Sequence, residues 1–370
     1  MAFSRTYRPW SGSSTTVAPR TRSASAFGDL ETRVCGLSTL LAYGAVAAAG
    51  SLYGFDVATD VPLARLRPGA GPRGSLTLSL ANVPEPTGGE IVHEWFGPEV
   101  TFRMHRVGER LHCSCSVTGT FVVDAAAGSI EAQPLRGTDE MWEHRMVGTA
   151  IPLLLAERGD LVVHAAAIET DAGAVLFVGP AGRGKSTLAL TAPALGLRLL
   201  AEDGVDVDGD GVVWPGPRGV RVRRDVVDRL PFETRAQSGA TPGRKATHFI
   251  PEALYADEPV RIGAVILLAE RSRNGLVAEP LEPAAAVPTL VPSLIFGGSD
   301  RLARAFGLAC GLVERVPVFR AAMPDDLSAA AEALRALVDL TTRREPGNGS
   351  AQVPRDEPPR RRPVAADRSL

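Results

Sequence analysis

The sequence predicts an α/β protein in which a smaller β-rich part precedes a domain built around a glycine-rich loop. Three observations predict it. The 370 residues are 45% apolar and 22% charged, the balance of a folded, water-soluble chain with a sizeable core. From about Ser51 to Pro134, short apolar stretches alternate with Gly and Pro turns, the pattern of a mainly antiparallel β region. Further on, Gly179-Pro180-Ala181-Gly182-Arg183-Gly184-Lys185-Ser186-Thr187 matches G-x-x-x-x-G-K-[ST] at every position, between an apolar strand and a helix. The length accommodates two domains, 51–150 and 151–340, with a poorly ordered extension over 1–50 and an unfolded tail over 341–370.

Charge and cysteine content narrow the function classes. The net charge is −2, but residues 1–28 and 341–370 together carry +7, leaving −9 for the middle. A middle of that sign repels a polyanion, so no nucleic-acid partner is expected there. Four scattered cysteines at 35, 113, 115 and 310 make no disulfide framework, and no secretory signal is evident, so a cytoplasmic location is expected. Val34–Phe55 is a 22-residue run without charge, but it is mostly Ala, Gly, Ser and Tyr, and no stable membrane insertion is expected of it. Of 40 basic residues only Lys185 and Lys245 are lysine, which makes each lysine's position more informative.

In chain order, Ser51–Val57 reads as a first strand, followed by strands at 76–80, 100–104, 111–117 and 121–123. Cys113 and Cys115 share one face by period two and, with His105 and His112, lack a second Cys pair; buried small residues are expected rather than zinc. Met141, Met146, Ile151, Leu154 and Leu155 have helical spacing over 140–157, with Gly159 as the stop. Strands at 161–168 and 174–178 form a hairpin into the loop. The helix after the loop is cut short at Pro193 and ends at Gly196. A strand at 197–203 ends in Glu202 and Asp203, a strand at 264–269 is capped by Glu270, and 301–314 is a helix after the Gly297-Gly298 turn.

The chemistry sits in the loop. Its glycines let successive backbone N–H groups point at a phosphate, Lys185 reaches the outer phosphates, and Ser186 offers a hydroxyl to Mg²⁺. ATP and Mg²⁺ are the cofactors this predicts. Phosphoryl transfer also needs an acid near the γ-phosphate, to hold metal or take a proton; Asp203 is placed for that, and Glu270 is a second candidate. Arg218, Arg221, Arg223 and Arg224, and likewise Arg244 and Lys245, read either as solvated loops or as clamps on a phosphate. Two rivals to a kinase stay open. One is an ATPase or nucleotide switch with Glu270 as the Walker B acid; the other is an ATP-binding module without catalysis.

His164, the loop and the strand ending in Glu202-Asp203 resemble the core of bacterial HPr kinase/phosphorylase. His164 lies 21 residues before Lys185, and Asp203 lies 17 after Ser186, as in that family; the resemblance covers roughly residues 160–210. It implies a P-loop kinase domain of the HPr kinase C-terminal type, with His164 and Lys185 in the active site. By the same resemblance Ser186, Glu202 and Asp203 stand at the metal, and Asp203 accepts the hydroxyl proton. It also implies a serine on a peptide or small protein as acceptor, and a homo-oligomer. Glu202 stands where the family has aspartate, and its Glu-Ile-Arg-Gly signature is absent; Asp225 and Asp228 are the acids available in its place. Tyr53-Gly54-Phe55, Asp60-Val61-Pro62-Leu63 and Trp214-Pro215-Gly216-Pro217 are similar to the HPr kinase-related subgroup that includes lasso-peptide precursor kinases.

Overall fold

A computed structural model describes residues 48–97, 100–237, 245–273, 275–324, 326 and 329–342. The expectations for 1–47, for Arg244 and for the tail from 343 fall outside these residues. Among the described residues the chain is a mixed α/β fold with two eight-stranded sheets and a small three-stranded one. Among the described residues no helix is long and apolar enough to cross a membrane.

The first sheet uses β1 (Ala48–Leu52), β2 (Phe55–Thr59), β3 (Ser75–Leu80), β4 (Glu90–Phe96), β5 (Thr101–Val107), β6 (Arg110–Cys115), β7 (Gly119–Asp124) and β8 (Ser129–Pro134), in the order β1-β2-β3-β8-β7-β6-β5-β4. It is antiparallel except where β3 lies parallel to β2 and β8. The single strand expected at Ser51–Val57 is instead a hairpin. Tyr53 and Gly54 turn the chain with φ of 52° and 75°, a left-handed pair that two-residue hairpins need. Leu76, Leu78, Phe102, Met104, Leu111, Cys113, Cys115, Phe121 and Ile130 alternate onto one face and are buried, so the two cysteines are core residues.

A helix closes that face. Asp139 caps it by accepting a hydrogen bond from Trp142 N at 2.9 Å, and it runs as α1 (Glu140–Arg145), a π-helical turn (Met146–Ala150) and α2 (Ile151–Arg158). Gly159 ends it at φ 107°, a left-handed position that suits glycine. Trp142, Met146, Ile151 and Leu154 pack into the sheet's core.

The second sheet comprises β9 (Leu161–Thr170), β10 (Gly173–Val178), β11 (Arg198–Val207), β12 (Val212–Val213), β16 (Val260–Leu268), β17 (Val277–Pro280), β18 (Leu294–Ile295) and β19 (Val318–Ala322). Its order is β10-β9-β11-β12-β16-β19-β17, with β18 beside β9 and β16 also parallel to β10. Both faces are covered, and period two sorts the residues of β10. Ala174, Leu176 and Val178 face α5 (Pro283–Leu290) and α6 (Ser299–Arg315). Val175 and Phe177 face α3 (Lys185–Thr191) and α7 (Ala330–Thr342). Full burial of each large apolar side chain stabilises by about 2 kcal/mol. After α3 a 3-10 turn, Ala192–Leu195, carries Pro193, and Gly196 follows at φ 79°. The third sheet, β13 (Val220–Val222), β15 (Ala246–Phe249) and β14 (Arg235–Ala236), flanks the short helix α4 (Arg224–Val227).

Candidate functional site

β10 delivers the chain into the glycine loop, and α3 begins at Lys185. Gly179, Gly182 and Gly184 take φ of 152°, 83° and 107°. At Gly179 a Cβ would lie 2.8 Å from Leu268 O, so the loop passes β16 only without a side chain. Lys185 is buried and folds back, its Nζ donating to Gly179 O at 2.6 Å and Pro180 O at 3.3 Å. Burial lowers its pKa, and the charges of Glu202 and Asp203 oppose that shift. Ser186 Oγ donates to Glu202 Oε1 at 2.6 Å. The other oxygen, Glu202 Oε2, is shielded from solvent and has no hydrogen-bond partner. Burial, then the charge on Asp203, raise the Glu202 pKa. A hydroxyl joined to a buried carboxylate with a spare oxygen is a donor set that fits Mg²⁺, whose remaining positions waters and substrate phosphates fill. Among the described residues no group of three or more His, Cys, Asp or Glu side chains forms a metal cage.

The strand expected to stop at Asp203 continues to Val207. The acids therefore lie mid-strand, because Val205 and Val207 go on alternating into the core and Asp206 is paired within it. Asp203 itself takes φ 75°, a conformation costly for a non-glycine residue and common where side chains are held for function. Its carboxylate sits between two imidazoles. His164 Nδ1 is 3.3 Å from Oδ1 and 3.0 Å from the Asp203 carbonyl, and His144 Nδ1 is 3.7 Å from Oδ2. Burial opposes ionisation of Asp203. The hydrogen bond from His164 and the positive field of His144, His164 and Arg65 outweigh it and hold the carboxyl below the usual range. Burial, with the charges of Arg65, Arg221 and Arg145, pushes His144 down to about 4 against the pull of Asp203. The two adjacent acids are thus shifted in opposite directions.

The neighbouring elements make this geometry possible. At Gly148, in the π-helical turn, a Cβ would lie 2.4 Å from Asp203 Oδ2; π turns of this kind recur at functional sites. The Tyr53 hydroxyl donates to Gly204 O at 3.0 Å, and Tyr53 N donates to Pro215 O at 2.9 Å. A Cβ on Gly54 would stand 2.3 Å from the Trp214 ring. The hairpin turn of the first sheet therefore braces the strand that carries Asp203. Arg65 and Arg67, both buried, fasten the segment leading to β13. Arg65 donates to Arg218 O and Gly219 O at 2.8 and 3.1 Å; Arg67 donates to Gly216 O, Leu200 O and Ala256 O at 2.6, 3.0 and 2.8 Å.

A cavity of about 460 Å³ joins these parts. Its floor includes Lys185, Ser186, Glu202, Asp203, His144 and His164; Arg221 of β13, Arg223 just after β13 and Lys245 just before β15 also line it, as does Arg271, three residues past β16. Of the loop residues, Ala181, Gly182, Gly184 and Thr187 also line it. Gly179 and Pro180 serve it indirectly, as the carbonyls that hold Lys185. Glu270 is not brought in: its side chain is 88% exposed and pairs with Arg183 at 3.1 Å. Asp225 pairs with Arg223 and Asp228 with Arg224, at 3.0 and 2.7 Å on the surface, so neither acid reaches the cavity. Arg218 pairs with Glu252 at 2.8 Å and lines a different depression. The sequence reading missed His144, Gly148 and Arg271. No local motif marks them, and only the junction of a capped helix with β11 and β16 brings them to the loop. Comparison of the chain with protein-family models and with curated proteins gives no match.

Proposed function

We propose that the protein is an ATP-dependent, Mg²⁺-assisted kinase of the HPr kinase type that transfers a phosphoryl group to a hydroxyl, a serine on a peptide or small protein. The observation that carries the reading is the Ser186–Glu202 hydrogen bond at the foot of the glycine loop, with Asp203 lining the same cavity as Lys185. Lys185 exchanges the Gly179 and Pro180 carbonyls for the outer phosphates of ATP, an ammonium gaining a charged partner for neutral ones. Ser186 and Glu202 hold Mg²⁺, which when bound neutralises charge on the phosphate oxygens. His164 and His144 fix the Asp203 carboxylate, which orients the acceptor hydroxyl and takes its proton late, as a weak base suffices for a loose transition state. The exposure of Glu270 and its pairing with Arg183 weigh against the ATPase reading that used it as the metal-site acid.

The missing Glu-Ile-Arg-Gly signature argues for an acceptor other than HPr. Incubating the protein with labelled ATP, HPr and short ribosomal precursor peptides tests this. We expect label on a peptide serine and little on HPr. Label on HPr alone would return the protein to the parent activity, and ATP turnover without a labelled acceptor would replace transfer by hydrolysis.

A further inference from the structure

The acid that caps β16 turns outward, but the next residue turns inward. Arg271 lines the main cavity beside Lys185 and Thr187. Its Nη1 donates to Pro324 O at 3.0 Å, which fixes the plane of the guanidinium. Its Nη2 reaches the other way and lies 3.6 Å from the place a Cβ would occupy on Gly184, the residue whose left-handed backbone opens the helix at Lys185. The segment behind it is fastened too, since Ser272 N donates to Met323 O at 2.8 Å. The other cation on this flank, Arg183, is drawn off by Glu270.

We propose that Arg271 is a polyphosphate-binding residue, a second fixed cation that meets the β- and γ-phosphates of the nucleotide from the side of the loop opposite Asp203. The inference rests on the nucleotide reading above and adds to it the residue that complements Lys185. Physical reasons favour a phosphate over other ligands here. A guanidinium anchored by one nitrogen keeps its second N–H pair in a preset direction, and planar paired donors match phosphate oxygens. Lys185 supplies one charge against a triphosphate, and of the other cations lining the cavity Arg223 is paired with Asp225. The loop at Gly184 has no side chain to keep phosphate and guanidinium apart.

Competition against a fluorescent ATP analogue on the full chain tests it, with MgATP, magnesium tripolyphosphate and adenosine as competitors. Arg271→Gln removes the charge and keeps a shorter polar side chain with an N–H donor; Arg271→Ala removes both. For each we expect a loss of tenfold or more in affinity for ATP and for tripolyphosphate, with adenosine unchanged and the melting temperature of the Gln variant close to that of the wild type. An equal loss for adenosine would assign the guanidinium to the nucleoside and overturn the proposal, as would unchanged affinity for all three. A wild-type protein that binds neither ATP nor tripolyphosphate would remove the nucleotide reading itself, whatever the variants do.

Discussion

Single side chains in the cavity make separable predictions because each has a different role in the proposed transfer. Lys185 is the ammonium nearest the loop and is held there by two carbonyls at 2.6 and 3.3 Å. Lys185→Ala should lower MgATP affinity by at least tenfold in calorimetry, the effect of deleting a charge-assisted contact; unchanged binding would mean that the loop is not a nucleotide site. Asp203→Asn keeps the size of the side chain and its acceptor oxygen for His164 but cannot take a proton. MgATP binding should survive while the transfer rate falls roughly 10² to 10⁴-fold. Glu270→Gln should change the rate by less than about twofold, because its side chain is exposed and its one ion pair, with the half-buried Arg183, lies outside the cavity. The reverse ranking in a phosphotransfer assay would move the reacting acid to the end of β16.

At the scale of elements, the π-helical turn between α1 and α2 sets the distance between Asp203 and the helix that faces it. Gly148→Ala separates stability from activity. Alanine favours a helix over glycine by about 1 kcal/mol, yet its Cβ would press on Asp203 Oδ2 from 2.4 Å. Transfer should fall by more than about tenfold with little loss of melting temperature, and an unaffected rate would show that the Asp203 position is not critical. Much at this scale was legible in the sequence. Gly159 ended its helix, Pro193 shortened the next, and the hairpin of β9 and β10 led into the loop, because each is written in neighbouring residues. The Tyr53-Gly54 turn was not, since the segment from Ser51 to Val57 reads as one strand until Trp214 is placed against Gly54. The length of β11 was hidden for a similar reason. Two acids in sequence resemble a strand end, and burial of the next acid, Asp206, against an arginine from the turn before β3 lets the strand go on.

For the whole molecule, that arginine joins the two large sheets. Arg73, between β2 and β3, reaches Asp206 on β11 and Asp160 ahead of β9, the latter at 2.6 Å, while its guanidinium lies over Phe55 and Trp214 at 4.6 and 5.0 Å. No sequence pattern pairs Arg73 with acids so far along the chain, just as none pairs Asp203 with His144. One guanidinium serves two carboxylates, and Asp206 is fully buried with Oδ1 unpartnered. Burial, then the charge of Asp160, therefore push Asp206 up to about 7 despite Arg73, with Asp208 adding to the rise; the Tyr53 hydroxyl, itself raised by burial and by Asp206, stays protonated beside it. In the unfolded chain Asp206 ionises near its ordinary value of 3.8. The folded state thus holds a proton that the unfolded state has released, and the stability this contributes is complete below about pH 3.8 and lost as the pH rises through about 7. The loss is at most roughly 1.4 kcal/mol per pH unit. Asp206→Asn presents a neutral side chain of the same shape at every pH. Its melting temperature relative to wild type should therefore climb steadily from about pH 4 to about pH 8, as the native carboxyl, and not the amide, is forced to ionise between the sheets; a difference that stays constant or shrinks over that range would mean that Arg73 neutralises both acids and that Asp206 is ionised throughout.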